Sequence, residues 1–239
     1  MSDKLFKTGI LSDNEITELF NARIIDAPIK FTNDQIQPAS LDLRLGKKAW
    51  RVKSSFLPGS KNKVRSKISR LSMHEIDLSK GAVLEKGCVY IAEIMENLDL
   101  PGNISASANP KSSTGRLDIF TRLIVDNATE FEFVKNGYKG PLYIEISPRT
   151  FSVLVYEGSR LNQIRFRSGN YLLNDEEIKE LHKNISLISG YDGSLDIKDG
   201  IPLSIDLSGT KEGLIGYRAR KHTDLIDIQN IKYYKKEAF

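Results

Sequence analysis

The stretch Leu41-Asp42-Leu43-Arg44-Leu45 alternates apolar and charged side chains without a break, and Gly46 follows it. Side chains of a β-strand point alternately to the two faces of a sheet, so this pattern predicts a half-buried strand that ends at Gly46. Residues 49–52 form its expected partner strand. The stretch therefore indicates a sheet protein.

Short strand-like segments recur along the chain, separated by turn residues such as Gly87, Pro101, Gly140 and Gly158. Closely spaced short strands with glycine and proline between them are typical of antiparallel sandwiches and barrels. We therefore predict an all-β protein with short helices, and we expect strands near residues 82–84, 88–94, 104–108, 120–125, 142–147, 151–156 and 161–166.

Two segments do not follow the strand pattern. Ser12-Asp13-Asn14-Glu15 has the spacing of a helix capping box, and Ile16 and Leu19 follow at helical spacing. A short amphipathic helix that ends near Asn21 is therefore predicted. Residues 54–69 are polar, basic and rich in turn residues, and this composition favours a mobile loop.

Composition limits the class of protein. The 239 residues are 40% hydrophobic and 28% charged, which is the balance of a globular protein. The net charge of +4 is scattered along the chain. It fits an anionic small ligand, and no aromatic–basic platform indicates nucleic-acid binding.

The single cysteine, Cys88, excludes an internal disulfide framework. The sequence contains no run of 18 apolar residues and no signal-peptide core. We therefore expect a cytoplasmic protein that does not span a membrane.

The chain also repeats itself. Three segments resemble earlier ones in the same order. The first match pairs Ser12-Asp13-Asn14-Glu15 with Asn174-Asp175-Glu176-Glu177, and the second pairs Gln37-Pro38-Ala39-Ser40-Leu41-Asp42-Leu43 with Ile201-Pro202-Leu203-Ser204-Ile205-Asp206-Leu207. The third pairs Trp50-Arg51-Val52-Lys53 with Tyr217-Arg218-Ala219-Arg220. The ordered matches indicate an internal duplication of about 165 residues. We predict a complete domain in residues 1–168 and the start of a second, truncated copy in residues 169–239.

One stretch suggests phosphate chemistry: Asn109-Pro110-Lys111-Ser112-Ser113-Thr114-Gly115-Arg116 gathers two cations, three hydroxyls and a glycine. Backbone N–H groups and hydroxyls flanked by cations can hold the oxygens of a polyphosphate, and the guanidinium of Arg116 can hold two of them. An ordinary solvated turn has the same composition, so the stretch alone leaves both interpretations open.

Four motifs in order carry a family resemblance: Gln37-Pro38-Ala39-Ser40-Leu41-Asp42-Leu43-Arg44-Leu45-Gly46, Pro110-Lys111-Ser112-Ser113-Thr114-Gly115-Arg116, Gly137-Tyr138-Lys139-Gly140-Pro141-Leu142-Tyr143-Ile144-Glu145 and Gly158-Ser159-Arg160-Leu161-Asn162-Gln163. Over residues 8–168 the chain resembles the dCTP deaminase branch of the dUTPase-like superfamily. Its duplicated layout is similar to the longer two-repeat bacterial dCTP deaminases. The resemblance implies a distorted dUTPase-like antiparallel β-barrel, usually a homotrimer with sites between subunits. It also implies hydrolysis of dCTP to dUTP and ammonia, with Mg²⁺ carried on the triphosphate.

Deamination at C4 of cytosine requires an activated water and a proton for the departing ammonia. The H-x-E and P-C-x-x-C signature of zinc deaminases is absent from this sequence, and Cys88 with His74, His182 and His222 does not replace it. We therefore expect a zinc-independent reaction in which a carboxylate transfers the proton.

Glu145 is the candidate for that carboxylate. In the predicted strand at 142–147, Tyr143, Glu145 and Ser147 share the face opposite the apolar residues. A strand glutamate is more often simply exposed. The resemblance assigns this position the role of general acid/base.

The resemblance carries further roles to matching positions. Ser112 would hydrogen-bond near the reacting C4 atom and the water, and Arg116 would stabilise charge on the water and on base or phosphate oxygens. The remaining positions are expected to bind substrate: Lys111, Ser113, Thr114 and Gly115 at the phosphates, Tyr143 in the pocket wall, and Gln163 from the last core strand. Asp42 matches a family motif, and its recurrence as Asp206 favours a structural role.

One departure concerns the sugar. Related proteins carry an Asp shortly before Gly-aromatic-x-Gly, where it meets the deoxyribose, whereas this chain has Lys135 there. Asp126, Glu130 or Glu132 could substitute. Two alternatives remain open: a dUTPase or bifunctional dCTP deaminase–dUTPase that releases pyrophosphate, and an inactive nucleotide-binding or assembly module.

Overall fold

The computed structural model describes residues 6–170, 172–188, 196–216, 218–219 and 224–233. Strands dominate the described chain: β1 Gly9–Ile10, β2 Ile25–Asp26, β3 Ile36–Gln37, β4 Ser40–Leu43, β5 Leu45–Val52, β6 Ser72–Asp77, β7 Ala82–Leu84, β8 Val89–Asp99, β9 Ile104–Pro110, β10 Ile119–Val125, β11 Phe133–Val134, β12 Lys139–Pro148, β13 Val153–Val155, β14 Asn162–Ser168 and β15 Ile226–Asp227. The α-helices are short: α1 Asp13–Asn21, α2 Val64–Leu71, α3 Ser112–Arg116 and α4 Asp175–Asn184, with 3₁₀ turns at Asn33–Gln35 and Ile228–Tyr233. In this part of the chain, no helix is long and apolar enough to cross a membrane.

The strands form three sheets. The first has the order β11-β9-β14-β4-β3, with β1 beside β14, and the second has the order β10-β12-β8-β5-β6, with β2 beside β8. A smaller sheet joins β15, β13 and β7, in which β13 and β15 run parallel. The predicted all-β fold with short helices is confirmed, and a strand occurs at each segment that the sequence predicted.

The chain divides into two compact units, residues 1–169 with 220–239, and residues 170–219. Each unit contains one helix with a complete capping box, Ser12 with Glu15 before α1 and Asn174 with Glu177 before α4. The repeated cap is therefore confirmed. The match at residues 217–220 lies partly outside the described residues, and the domain boundary after residue 168 stays a prediction.

The strand predicted at residues 41–45 differs from the structure in two ways. It divides at Arg44 into β4 and β5, and Gly46 lies inside β5. The predicted partner strand at residues 49–52 is therefore wrong, because these residues continue β5, whereas β4 pairs with β3 and β14 in the other sheet. An added Cβ at Gly46 would come within 3.1 Å of the Cβ of Glu93, so glycine permits the close approach of β8. The predicted polar face is also wrong, because Asp42 and Arg44 are only 1% and 5% exposed. Asp42 binds Lys111, and Arg44 Nε lies 2.8 Å from Glu96, so both charges are paired where they are buried.

The loop predicted at residues 54–69 is also wrong in part, because α2 begins at Val64. Val64 and Ile68 are buried in an apolar cluster with Trp50 and Tyr143. The carboxylate of Asp126 accepts the N–H of Val64 at 2.8 Å and so satisfies the start of the helix. Apolar packing, together with a cap from Asp126, which is distant in sequence, therefore orders a segment whose composition favours a loop.

The site is built on β12, which lies between β10 and β8 in the second sheet. Leu142, Ile144 and Ile146 are fully buried on one face of this strand. The opposite face carries Tyr143 and Glu145, and the apolar cluster under α2 packs against it. The predicted division of faces is correct, but both faces are covered.

Candidate active site

Glu145 is held inside the second sheet by an arginine on the neighbouring strand. Its side chain is 2% exposed, and Arg122 lies directly opposite it in the β10–β12 register. Arg122 Nη2 and Nε donate to the same carboxylate oxygen, Oε1, at 2.7 and 3.1 Å. Oε2 is buried and makes no hydrogen bond to the described residues. One oxygen of Glu145 is thus fixed, and the other is available to accept a proton.

The stretch at residues 111–116 forms a tight turn between β9 and β10. Lys111 donates its backbone N–H to Leu161 at 3.0 Å, and its carbonyl accepts the N–H of Gly115 at 3.0 Å. Thr114 is buried, Ser113 is half-buried, and Ser112, Gly115 and Arg116 are exposed. The turn therefore presents a hydroxyl and a guanidinium to solvent from a backbone that is anchored in the first sheet.

Gln163 lies next to this turn on β14, in register with Asp42 on β4. The hydroxyl of Ser40 donates to Gln163 Oε1 at 3.0 Å. The carboxylate of Asp42 binds the ammonium of Lys111 and lies 3.9 Å from Arg160 Nη1. Asp42 therefore has a structural contact of the kind that the sequence predicted, because it ties Lys111 to the sheet.

Tyr143 is placed in the apolar cluster, with Trp50, Ile91 and Ile124 around it. Burial raises the pKa of Tyr143, and the negative charges of Asp126 and Glu93 raise it further. The side chain is therefore a neutral phenol in the packed layer beside Glu145.

Within one chain, the predicted site residues fall into two groups. The first contains residues 111–116 and Gln163, and the second contains Glu145 and Tyr143. Among the described residues, no hydrogen bond or ion pair joins Glu145 to residues 111–116. The sequence prediction did not include Arg122. The period of two in the predicted strand at 120–125 did place Arg122 on the same face as Phe120 and Ile124. Only the strand register shows that it lies opposite Glu145.

Two of the carboxylates considered for sugar recognition line a shallow pocket beside β10. Asp126 and Glu130 share this pocket of about 130 Å³ with Phe133 and Lys135. A basic residue, Lys135, therefore lines the same pocket as the two acidic residues.

The third carboxylate, Glu132, is turned toward the strand edge. Its Oε1 accepts the N–H of Leu123 at 2.9 Å, and its Oε2 is buried without a hydrogen bond to the described residues. Burial raises the pKa of Glu132 to about 7, although the Leu123 N–H and the charge of Arg122 act against this rise. Glu132 is thus an ionisable group close to neutrality beside the Arg122–Glu145 pair.

The described part of the chain contains no group of three or more His, Cys, Asp and Glu side chains close enough to hold a metal ion.

Comparison with known families identifies two consecutive matches. The N-terminal domain model of 2'-deoxycytidine 5'-triphosphate deaminase matches residues 7–170, and the corresponding C-terminal domain model matches residues 174–239. The two matches together span most of the chain.

Individual relatives agree with this result. The chain is similar to a crystal structure of 2'-deoxycytidine 5'-triphosphate deaminase from Agrobacterium tumefaciens, with 53% identity and a TM-score of 0.90 over 98% of this chain and 69% of that one. It is 33% identical over 167 residues to a dUMP-forming dCTP deaminase of Methanosphaera stadtmanae, which covers 67% of this chain and 79% of the relative. A dCTP deaminase of Halorubrum lacusprofundi is 29% identical over 66% of this chain and 76% of the relative. The chain belongs to the dCTP deaminase family, with the dUTPase-like β fold.

Proposed function

We propose that this protein catalyses the hydrolytic deamination of dCTP to dUTP and ammonia, without zinc. Family membership and the relatives named for dCTP deamination support the substrate. One observation carries the mechanism. Glu145 is buried on a strand with a neighbour on each side, Arg122 holds its Oε1, and its Oε2 has no hydrogen-bond partner among the described residues.

In the proposed reaction, Oε2 of Glu145 takes a proton from water as the water oxygen bonds to C4 of cytosine. Glu145 gives this proton to ring nitrogen N3, which forms a tetrahedral carbon at C4. It then takes the proton of the new C4 hydroxyl group and gives it to the amine as the C4–N bond breaks, so that C4 becomes a carbonyl and ammonia leaves. Ser112 hydrogen-bonds near C4 and the attacking water. Arg116 stabilises negative charge on the water and on the base or phosphate oxygens.

The other predicted site residues hold the nucleotide. Mg²⁺ enters as part of the substrate, where it neutralises phosphate charge. The anchored turn at residues 111–116 supports a phosphate-binding role, since it presents cationic and hydroxyl groups on a fixed backbone. In this proposal the contacts come from Lys111, Ser113, Thr114 and Gly115 at the phosphates, with Tyr143 and Gln163 beside the nucleotide.

We also propose that the active site is completed between subunits of a homotrimer. Glu145 and the turn at residues 111–116 must act on one nucleotide, but no described contact joins them within a chain. A neighbouring subunit that supplies one of the two groups would bring them together. The cytoplasmic location stays a prediction.

A second candidate is a bifunctional enzyme that converts dCTP to dUMP and also releases pyrophosphate. The Methanosphaera stadtmanae relative is named for dUMP formation, which favours this possibility. Lys135 argues against it, because it replaces the Asp that related dUTPases use to position the water that attacks phosphorus. The products formed from dCTP distinguish the two candidates.

The assigned proton carrier is tested by Glu145→Gln, which keeps the side-chain shape but cannot accept the proton. We expect ammonia release to be lost while dCTP binding stays within about tenfold of the original protein. Glu75→Gln is the matched control, because Glu75 is a strand glutamate paired with Lys48 at 2.7 Å and remote from Arg122 in the register. Ammonia release by Glu145→Gln at the original rate would overturn the mechanism.

A further inference from the structure

The contact between Arg122 and Glu145 is asymmetric. A guanidinium fork commonly engages both oxygens of a carboxylate. Here both donors, Nη2 and Nε, converge on Oε1, and Oε2 receives no hydrogen bond from the described residues. The arginine therefore distinguishes the two oxygens of Glu145 before any substrate binds.

Arg122 is itself fixed in place. Its Nη2 donates to the hydroxyl of Ser55 at 2.7 Å, and its Cζ lies 3.6 Å from the ring centroid of Phe131 and 5.0 Å from that of Phe120. Cation–π and hydrogen-bond contacts of this kind limit the rotation of a guanidinium. The side chain is 27% exposed, so it lies between the buried carboxylate and the protein surface.

The charges around this pair are few. On β8, the residue in register with Glu145 is the apolar Ile91. Farther along the same strand, Glu93 pairs with Arg65 of α2 at 3.0 Å. On the other side, Glu132 binds the backbone of β10. Arg122 is thus the cation in contact with Glu145 among the described residues, and a buried carboxylate that lost it would lack compensation.

We infer that Arg122 is a positioning residue for the deamination: it holds Oε1 of Glu145 and directs Oε2 toward the reacting water. This inference rests on the proposed function. It goes beyond it by naming the side chain that selects which oxygen of Glu145 carries the proton.

The first test compares Arg122→Lys and Arg122→Met in dCTP deamination. Lysine keeps the positive charge, but it replaces the planar guanidinium and its paired N–H donors with a single ammonium group. We expect kcat to fall about tenfold to a hundredfold in Arg122→Lys, and further in Arg122→Met, with KM within about threefold.

Arg149→Lys is the matched control. Arg149 also lies over Phe120, at 5.4 Å from the ring centroid, but it makes no hydrogen bond or ion pair with Glu145 in the described structure. Its kcat and KM should be unchanged. An Arg122→Lys protein with the original kcat would overturn the inference.

A second measurement does not depend on turnover. Infrared titration can follow the carboxyl band that Glu145→Gln removes, in the original protein and in Arg122→Lys, whose charge and size favour folding. A changed band position in Arg122→Lys supports the contact, and an identical band position contradicts it. If the original protein does not deaminate dCTP, the proposed function fails, and this titration still decides whether Arg122 controls Glu145.

Discussion

At the scale of single residues, charges inside this protein are matched by partners that are distant in sequence. Glu96 accepts hydrogen bonds from the backbone N–H of Arg44 at 3.0 Å, from its Nε at 2.8 Å and from Gln35 Nε2 at 2.8 Å. The alternating pattern suggested that Arg44 faces solvent. A pattern of period two identifies the two faces of a strand, but it does not show what covers the second face.

Glu132 provides a pH-dependent test at the same scale. The ordinary pKa of a glutamate is 4.5, and burial raises the pKa of Glu132 to about 7 in the folded protein. The folded state therefore binds more protons than the unfolded state between these values, so this group makes stability fall as pH rises from about 4.5 to about 7. Above about pH 7 the side chain of Glu132 is ionised in the folded protein, and the full free-energy cost of burying that charge lowers the stability.

We therefore predict that Glu132→Gln is more stable than the original protein by about 1–2 kcal/mol at pH 8, after allowance for partial exposure, and that the difference shrinks toward pH 5. The amide oxygen can still accept the N–H of Leu123. Urea unfolding at several pH values measures this. A constant difference between the two proteins across the range would contradict the assigned burial penalty.

At the scale of elements, α2 shows how tertiary packing orders a segment of loop-like composition. Val64 and Ile68 are 0% and 3% exposed, at helical spacing of four residues. Basic and polar residues surround this narrow stripe, so the sequence signal is weak. The helix is explained by the apolar cluster that it covers and by the cap from Asp126.

We predict that Ile68→Ala destabilises the protein by about 2–4 kcal/mol, because it opens a cavity in that cluster. Arg70→Ala, on the exposed side of the same helix, should change stability by less than about 0.5 kcal/mol. Thermal or urea unfolding of the two variants gives the comparison. Equal and small effects would mean that the segment behaves as the loop suggested by its composition.

The strands could be predicted because their signals are local. Glycine and proline turns bound them, and side chains alternate within them. The turn at residues 111–116 and Glu145 were recognised as a family pattern within single segments. The Arg122–Glu145 contact could not be predicted, since it depends on the register across a connection from β10 to β12 that contains β11. Lys111 binding to Asp42 likewise depends on the order of β9, β14 and β4.

At the scale of the whole molecule, the separation of the two groups of site residues leads to a test of assembly. If the site lies between subunits, Glu145→Gln and Arg116→Ala proteins are each inactive, but mixed assemblies contain sites that combine intact groups from different chains. Equal co-expression should restore about a quarter of the original activity in a cyclic oligomer with random mixing. Mixed assemblies that remain inactive would place both groups of each site in one chain.

The central claim is most directly tested by the products that the original protein forms from dCTP in the presence of Mg²⁺. Chromatography of the nucleotides and an ammonia assay should show dUTP and ammonia in equal amounts, with turnover preserved when trace zinc is chelated in excess Mg²⁺. Formation of dUMP with pyrophosphate would replace the proposal with the bifunctional reaction. A folded protein that leaves dCTP unchanged would contradict the proposal and favour a nucleotide-binding or assembly role.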